Sequence, residues 1–398
     1  MSVVARRHYP LNTLIIKIAS RCNIDCTYCY EYNRGDSSWQ FQPKKLSLQT
    51  ARQIGHRITE YCTEVSQNTF TLVFHGGEPL LVGPAYFENL ILEFRNSISR
   101  DIGLKFGVQT NGILVSDEFL NVFKRHGVSV GVSLDGDAFA NRHRVDKKGL
   151  QTTDKAVAGI SRLNNAGCLS GIQAVIDLWS APETVLTFLA EFKPHLIELA
   201  QPLGSHDNPP YLSAPPMTLG EWLIRAYDFW ESSETMRGVK IAVFAEAIRT
   251  MLHGRGASDW FPGLPPNYLL TACDGSYEGL DALKIVGTEG RQLNLNVNEN
   301  SIHDALSHPF ICFRGSDSAL PQGCRTCAIR DWCCGGSYPS RYGNGTSFDN
   351  PSIYCADMKL IFTHLGRAVI RSNVDVTIAQ AVSRKIQSLA EQNSELAG

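Results

Sequence analysis

Leu14-Ile15-Ile16-Lys17-Ile18-Ala19-Ser20-Arg21-Cys22-Asn23-Ile24-Asp25-Cys26-Thr27-Tyr28-Cys29 decides the fold, because an apolar run leads directly into three cysteines. The apolar run, residues 14–19, is short and Lys17 interrupts it, so it predicts a buried strand and neither a cleavable signal nor a transmembrane helix. Three thiolates after a strand can hold three irons of a four-iron cubane and leave the fourth iron open to a ligand. A zinc site would need a fourth Cys or His close by, and the next residues are Tyr30, Glu31 and Tyr32.

Short β-rich runs alternate with longer segments of helical period from residue 13 to about residue 200. This α/β alternation is typical of a parallel sheet with crossover helices, and its six units favour a partial (β/α)6 TIM barrel. An open doubly wound sheet has the same period. The predicted strands are residues 14–19, 72–75, 104–109, 128–133, 171–176 and 196–199, and the predicted helices are residues 47–66, 84–99, 115–126, 152–166 and 181–192.

Polar or glycine-rich segments follow the first five predicted strands. In both folds ligands gather at the carboxyl ends of the strands, so we expect these segments to share one rim. They are the cysteine segment 22–29, His75-Gly76-Gly77-Glu78-Pro79, Gln109-Thr110-Asn111-Gly112, Ser133-Leu134-Asp135-Gly136-Asp137, and Asp177.

The composition describes a globular protein of 398 residues with a formal net charge of -2. No run of five or more Lys and Arg residues is present, which argues against nucleic acid or an anionic membrane as the main partner. We expect a cytoplasmic protein, in which the twelve cysteines are metal ligands or free thiols and not disulfides.

The chain is expected to divide into four parts. Residues 1–202 form the barrel core, and residues 203–262 form a bridging loop with helices around 218–232 and 241–253. Residues 263–356 are rich in Gly, Cys, Pro and aromatic residues, which is typical of a small domain stapled by metal. Residues 357–398 contain a C-terminal helix, predicted over 357–396.

A second set of cysteines lies in the third part, with the spacing Cys324-x2-Cys327-x5-Cys333 followed by Cys355. Four thiolates with this spacing can bind zinc or a closed cubane, and the spacing alone does not choose between them.

The Cys-x3-Cys-x2-Cys spacing of Cys22, Cys26 and Cys29, with an aromatic residue before the last cysteine, resembles the defining motif of the radical SAM superfamily. The resemblance implies a [4Fe–4S] cluster that reductively cleaves S-adenosylmethionine to a 5′-deoxyadenosyl radical, which abstracts a hydrogen atom. It also implies that one set of residues binds the cofactor: Tyr28, Gly76, Gly77, Glu78, Pro79, Asn111 and Ser133.

The C-terminal cysteines resemble the second half of the SPASM extension of radical SAM enzymes that modify peptides and proteins. This resemblance implies that Cys324, Cys327, Cys333 and Cys355 hold one auxiliary [4Fe–4S] cluster. A full SPASM domain has another cysteine where this chain has Ser337. It also has a glycine followed by four residues and a cysteine, whereas the fifth residue after Gly290 is Leu295. We therefore expect no inner auxiliary cluster, with Cys273, Cys312 and Cys334 as leftover candidates for it.

Several further segments are similar to the FxsB-type peptide maturases, which act on ribosomally made precursor peptides. The resemblance implies formation of a cyclophane, in which an aromatic ring carbon is joined to the β-carbon of a residue two positions further on. It also implies a precursor peptide as partner and an electron donor such as flavodoxin or ferredoxin. The segments include Ser38-Trp39, Phe74-His75-Gly76-Gly77-Glu78-Pro79-Leu80, Asn141-Arg142-His143-Arg144, Asp274-Gly275-Ser276-Tyr277-Glu278 and Phe348-Asp349-Asn350-Pro351-Ser352-Ile353-Tyr354-Cys355.

Cyclophane formation needs a base, because the ring must lose a proton after the new bond forms. The candidates are Asp207, Asp274, Glu278 and Asp281, which lie in segments that can cap the rim. The first strand begins by residue 13, which leaves no room for an N-terminal leader-recognition domain. Leader binding is then expected at the rim, the post-barrel helices, a sheet edge or another protein.

Other outcomes stay open from the sequence. A sulfatase-maturing enzyme has an acid directly after the inner-cluster cysteine, whereas the corresponding place here is near Leu295-Asn296, so we rank that reaction lower. Thioether or ether crosslinking and epimerisation use the same cofactors. A zinc-stapled binding module without catalysis is the alternative from another class.

Overall fold

The computed structural model describes residues 11–210, 214–287, 292–372 and 374–395. Within these residues the ten strands are β1 Thr13–Ala19, β2 Thr69–Gly76, β3 Gly103–Thr110, β4 Val128–Ser133, β5 Leu169–Val175, β6 Leu196–Ala200, β7 Lys240–Ile241, β8 Tyr268–Thr271, β9 Ser276–Glu278 and β10 Gln292–Asn296. The twelve α-helices are α1 Leu48–Glu64, α2 Pro84–Ser97, α3 Asp117–His126, α4 Thr153–Asn165, α5 Pro182–Ala190, α6 Leu219–Ser232, α7 Ala242–His253, α8 Ile302–Leu306, α9 Pro309–Phe313, α10 Arg330–Cys333, α11 Cys355–Arg371 and α12 Val376–Glu395.

All described strands form one mixed sheet in the order β10-β9-β8-β1-β2-β3-β4-β5-β6-β7. The strands from β8 through β1 to β7 pair in parallel. Strand β9 pairs antiparallel with β8, and β10 pairs antiparallel with β9. The predicted α/β partial barrel is confirmed, and the six predicted strands and five predicted barrel helices are present within a few residues of their predicted ends.

Helix ends follow the capping residues of the sequence. The Ser47 and Ser116 hydroxyls accept main-chain N–H groups at the starts of α1 and α3, and Gly127 ends α3 in the left-handed conformation. Thr218 and Glu221 form a capping box at the start of α6. These caps fix where α1, α3 and α6 begin.

One row of polar side chains crosses the inner face of the barrel. Gln109 of β3 donates to the Ser133 hydroxyl of β4 at 2.8 Å. Ser133 is in register with Gln173 of β5, and Gln173 is in register with Glu198 of β6. Their strand neighbours, such as Val132, are buried, so alternation along each strand turns the polar row toward the barrel interior.

The C-terminal part continues the barrel sheet, because β8 pairs with β1 over four residue pairs starting at Thr13 and Tyr268. The expected domain boundary at residue 263 stays a prediction, and the sheet runs across it. The single C-terminal helix predicted over 357–396 is wrong: α11 and α12 are separate helices. Ser372 has extended backbone angles, and the Asp375 carboxylate accepts the Thr377 N–H, which starts the next helix.

Among the residues that the structure describes, none of the helices has both the length and the apolar character needed to cross a membrane.

Candidate active site

Three thiols on the loop after β1, those of Cys22, Cys26 and Cys29, line one cavity of about 450 Å³. Burial raises the pKa of Cys22 and of Cys29 to about 12, and the neighbouring Cys26 adds to both shifts. No three His, Cys, Asp or Glu side chains converge on a single ion anywhere in the described part of the chain. Each thiolate of a four-iron cubane binds its own iron, and three thiols on one loop fit that donor set.

Main-chain hydrogen bonds hold the cysteine loop against the segment that follows β4. Asp25 N donates to Val145 O at 2.7 Å, and Thr27 N donates to His143 O at 3.0 Å. The loop therefore has a fixed shape before any cofactor binds.

Tyr28 lines the cavity, but its hydroxyl belongs to a buried network below the loop. It donates to the Asp135 carboxylate at 2.5 Å and accepts from the Arg144 guanidinium at 2.8 Å. Burial raises the pKa of Tyr28 well above its usual range, so the phenol stays neutral. Only the ring of Tyr28 is left to contact a bound cofactor.

Gly76 and Gly77 bring main chain directly against the start of the cysteine loop. Gly77 N donates to Ala19 O at 2.8 Å. Gly76 has a φ of 122°, and a Cβ there would lie 2.1 Å from Ala19 O. A Cβ on Gly77 would lie 2.4 Å from Arg21 O. Only glycine allows this approach, and both residues line the cavity, as expected for cofactor contacts.

Glu78 and Pro79 lie outside the set of residues that line the cavity. The fully buried Glu78 carboxylate accepts from Leu80 N at 3.0 Å, from the Thr110 hydroxyl at 2.7 Å and from Asn111 N at 2.8 Å. Glu78 therefore ties the end of β2 to the end of β3 and positions the cavity wall, and it does not reach into the cavity.

A Glu78→Ala variant is expected to unfold more easily and to bind S-adenosylmethionine more weakly. The change leaves the Leu80 and Asn111 N–H groups and the Thr110 hydroxyl buried without their acceptor, and each such group costs about 1–3 kcal/mol. Urea denaturation and equilibrium dialysis with the cofactor measure the two effects. The matched control is Glu299→Ala at an exposed site, and an equal stability of the two variants would contradict the bracing role.

Asn111 and Ser133 line the cavity, as expected. The Asn111 amide donates to the Asn23 side chain at 2.8 Å, which fixes its direction beside the cysteine loop. The Ser133 hydroxyl accepts from Gln109 and keeps its own proton to donate to a ligand.

The four C-terminal cysteines of the predicted auxiliary site come together. Cys327 N donates to Cys324 O at 3.2 Å in a tight turn, Cys333 lies in α10, and Cys355 begins α11. Burial raises the pKa of Cys324 to about 11, and the neighbouring Cys355 and Cys327 contribute to the shift. Burial raises the pKa of Cys333 well above its usual range, with contributions from Cys334 and from the other three.

The thiol of each leftover cysteine lies against a main-chain carbonyl. The Cys273 thiol lies 3.0 Å from Lys17 O, and the thiols of Cys312 and Cys334 each approach a main-chain carbonyl of their own segment. Cys273 has no cysteine among the groups that shift its pKa. Ser337, at the position of a SPASM cysteine, lines the cavity and accepts a hydrogen bond from the Gln201 amide.

Of the four candidate bases, only Asp281 lines the cavity. Asp207 is exposed and accepts a main-chain N–H at 2.6 Å, and Asp274 accepts from the Gln42 amide at 2.9 Å. Asp207 and Asp274 therefore shape loops outside the cavity lining.

Glu278 and Asp281 belong to a buried charge network beneath the cavity. The Lys17 ammonium lies 2.7 Å from Glu278, 2.5 Å from Asp281 and 3.3 Å from Glu31. The Lys284 ammonium contacts Glu31 and lies 3.6 Å from Asp281. The side chains of all five residues are at most 11% exposed, so the network is shielded from water.

The network keeps Asp281 ionised. Burial alone would raise the pKa of Asp281, but Lys17 and Lys284 hold it well below its usual range. The Tyr30 hydroxyl also donates to this carboxylate at 2.9 Å. A carboxylate so stabilised is a weak base.

The charged residues of this region that were not predicted as site residues include Lys17 and Glu198. Burial raises the pKa of Glu198 to about 7, and nearby Asp259 and Glu246 add to the shift. Glu198 lines the same cavity as Cys22, Cys26 and Cys29. Both residues interrupt strongly apolar strands, and a charge inside a buried strand must face a partner or a cavity, which is the sequence signal that was available.

Comparisons with known proteins identify a family match and several relatives. Residues 16–178 match the radical SAM superfamily. The cysteine-type anaerobic sulfatase-maturating enzyme of Clostridium novyi is 25% identical over 372 residues, which cover 88% of this chain and 94% of that protein.

Two solved structures share the fold. The structure of anSMEcpe with bound AdoMet and Kp18Cys peptide aligns with a TM-score of 0.76 and 21% identity, over 91% of this chain and 98% of that one. SuiB of Streptococcus suis, bound to its precursor peptide SuiA, aligns with a TM-score of 0.60 and 16% identity, over 87% and 76%.

The superfamily match covers β1 to the end of β5 and includes the three cysteines, the two glycines, Asn111 and Ser133. The chain therefore carries a radical SAM domain over residues 16–178 and is an enzyme with S-adenosylmethionine and [4Fe–4S] clusters as its cofactors.

Proposed function

We propose that this enzyme modifies a ribosomally made precursor peptide by joining an aromatic ring carbon to the β-carbon of a residue two positions further on. The observation that carries the proposal is the character of the cavity beyond the cysteines. Leu203, Trp260, Tyr268 and Leu270 line it there. Apolar and aromatic walls of this kind suit an aromatic side chain of a peptide.

Peptide substrates are supported by the relatives. The structure of anSMEcpe contains the Kp18Cys peptide, and the structure of SuiB contains the precursor peptide SuiA. Both share the fold of this chain over most of its length.

The proposed reaction balances with two hydrogens removed from the peptide. The 5′-deoxyadenosyl radical takes a hydrogen atom from Cβ, and the Cβ radical adds to the ring to form the new carbon–carbon bond. The ring adduct then loses one electron and one proton and becomes aromatic again. An auxiliary [4Fe–4S] cluster is the electron acceptor in this proposal, and a carboxylate of the cavity is the proton acceptor.

The residues fit these cofactors. Cys22, Cys26 and Cys29 would hold the cluster that cleaves S-adenosylmethionine. Gly76, Gly77, Asn111 and Ser133, with the Tyr28 ring, would contact the cofactor itself. Cys324, Cys327, Cys333 and Cys355 would hold one closed auxiliary cluster.

We also propose a cytoplasmic location and a low-potential electron donor such as flavodoxin or ferredoxin. All twelve cysteines are free thiols, which is typical of proteins in a reducing compartment.

A second candidate is formylglycine formation on a sulfatase, which the similarity to the Clostridium novyi enzyme favours. That reaction was ranked lower because no acid follows the inner-cluster position. The structure supports the ranking: Asn296 stands there, and its amide donates to Asp274 O at 3.1 Å within a turn.

The test is anaerobic incubation of the reconstituted enzyme with S-adenosylmethionine, a reductant and the short peptide encoded beside its gene. Tandem mass spectrometry should show the loss of two hydrogens and a fragmentation gap between an aromatic residue and the second residue after it. A gain of one deuterium in heavy water would show epimerisation instead. A product with an oxidised Cys or Ser and no fragmentation gap would favour the sulfatase-type reaction.

Iron analysis of the reconstituted enzyme is expected to give about eight atoms per chain, two cubanes of four. The reason is that the thiols of Cys273, Cys312 and Cys334 each lie against a main-chain carbonyl and that Ser337 stands at the position of a SPASM cysteine. Cys324→Ala should lower the value to about four and leave some cleavage of S-adenosylmethionine. A value of about twelve in the unchanged enzyme would show that the inner cluster is present and contradict this prediction.

A further inference from the structure

Glu198 lies on the polar row of the barrel interior, two strands from Ser133. Ser133 is in register with Gln173, and Gln173 with Glu198. Adjacent strands are about 4.8 Å apart, so the main chain of Glu198 lies about 10 Å from that of Ser133. Both residues line the cavity, and so does Trp260, whose indole donates to Leu199 O, the residue after Glu198, at 3.0 Å.

Five carboxylates line the cavity: Glu31, Asp135, Glu198, Asp259 and Asp281. Four of them have cationic partners. Glu31 and Asp281 bind the two lysines of the buried network. Asp135 lies 3.9 Å from the Arg144 guanidinium, and Asp259 lies 3.0 Å from the Arg314 guanidinium.

Glu198 is the exception among them. Within the part of the chain that the structure describes, no cation and no hydrogen-bond donor is placed on its carboxylate. The charged groups that act on it are Asp259 and Glu246, and both are acids. Glu246 itself is bound by Arg249 at 2.7 Å. Glu198 is thus the cavity carboxylate whose oxygens are free to take a proton from a substrate.

We infer that Glu198 accepts the proton that the substrate releases when the ring adduct is oxidised, an inference that rests on the proposed function. The ring C–H bond breaks, its proton moves to a Glu198 oxygen, and its electron pair restores the aromatic ring. The one surplus electron passes to the auxiliary [4Fe–4S] cluster. The Glu198 carboxylic acid then returns its proton to water.

The surroundings of Glu198 match this role. Burial, with Asp259 and Glu246, raises its pKa to about 7. A general base is most effective when its pKa lies near the working pH. Asp281, held ionised by two lysines, lacks this property.

The first experiment compares wild type, Glu198→Gln and Glu198→Asp on the peptide that the wild-type enzyme modifies. We expect Glu198→Gln to lower the kcat for crosslinked product about a hundredfold or more while KM stays unchanged. Formation of 5′-deoxyadenosine should continue, uncoupled from product. Glu198→Asp should restore part of the rate, and the exposed control Glu299→Gln should behave as wild type.

The pH profile separates chemistry from structure. Wild-type product formation should rise with pH through about 7, because the acceptor must be ionised. Glu198→Gln should show no such rise. An unchanged kcat or an unchanged pH profile in Glu198→Gln overturns the inference. An increase in KM alone would instead make Glu198 a binding site for a basic side chain, and would also overturn it.

A second measurement needs no peptide. Between the unfolded pKa of 4.5 and the folded pKa of about 7, the folded protein binds more protons at Glu198, so wild-type stability falls as pH rises through this window. The Glu198→Gln variant lacks this loss, so its urea midpoint should increase relative to that of wild type as pH rises from about 5 to about 8. A difference between the two urea midpoints that does not change with pH overturns the inference. If wild type makes no crosslinked product, the proposed function fails, whereas the pH dependence of stability still reports whether Glu198 has the raised pKa that the inference requires.

Discussion

A Cys26→Ala variant is expected to form no 5′-deoxyadenosine and to lose about four iron atoms per chain. Cys26 is buried between Cys22 and Cys29 in the same cavity wall, and its loop is pinned on both sides by main-chain hydrogen bonds. The folded loop has no spare thiol to replace it, because Cys273 is bound to Lys17 O. Anaerobic chromatography of the adenosine product and iron analysis measure the two losses.

The matched control is Cys168→Ala, because Cys168 is also buried but lies outside the cavity lining. Its thiol makes only a weak contact, at 3.7 Å, to Ala166 O. We expect this control to keep both the iron and the cleavage activity. Cleavage by Cys26→Ala, or equal iron loss in both variants, would contradict the assignment of the cluster to the β1 loop.

A Lys17→Met variant is expected to lose about 3–5 kcal/mol of unfolding free energy. The change leaves Glu31, Glu278 and Asp281 buried with Lys284 as the one remaining cation of the network. A buried charge without a partner is far more costly than the pair is stabilising. Urea denaturation of the reconstituted protein under anaerobic conditions measures the loss.

The pH dependence identifies the cause. Asp281 has a lowered pKa, so its contribution is present above the unfolded value of 3.8 and is lost as pH falls below it. Lys17 has a raised pKa, so its contribution is present below the unfolded value of 10.5. The difference between wild type and Lys17→Met should therefore be constant between these values and shrink in acid. Lys105→Met, at an exposed site on β3, is the control, and an equal loss there would contradict the network's role.

The barrel core could be predicted from the sequence because its signals are local. Each strand is a short apolar run followed by an amphipathic helix, as in β4 Val128–Ser133 and α4 Thr153–Asn165. The polar residues after the strands could be assigned to one edge, because parallel strands place their carboxyl ends together. Gly76, Gly77, Asn111 and Ser133 lie in one cavity for this reason.

The remaining features depend on distant pairings. Strand β8 has only four residues in a stretch rich in Gly and Pro, and its partner β1 is far away in the sequence. Glu78 has the position of a ligand contact in the sequence, but its oxygens are taken by three donors. Glu198 is left without a cation among the described residues because Arg314 pairs with Asp259 and Arg249 pairs with Glu246. No local sequence pattern predicts these pairings.

The pairing of β1 with β8 also has a consequence for biosynthesis. β1 ends at Ala19 and β8 begins at Tyr268, so a ribosome must add 249 residues before β1 has its second neighbour. At about 5–20 residues per second this takes roughly 12–50 s. During that interval Lys17 has no Glu278 or Asp281, and the nascent cysteine loop is open to oxygen and to unwanted metals. Cluster loading on the completed chain, after release from the ribosome, is the order of assembly that this topology imposes.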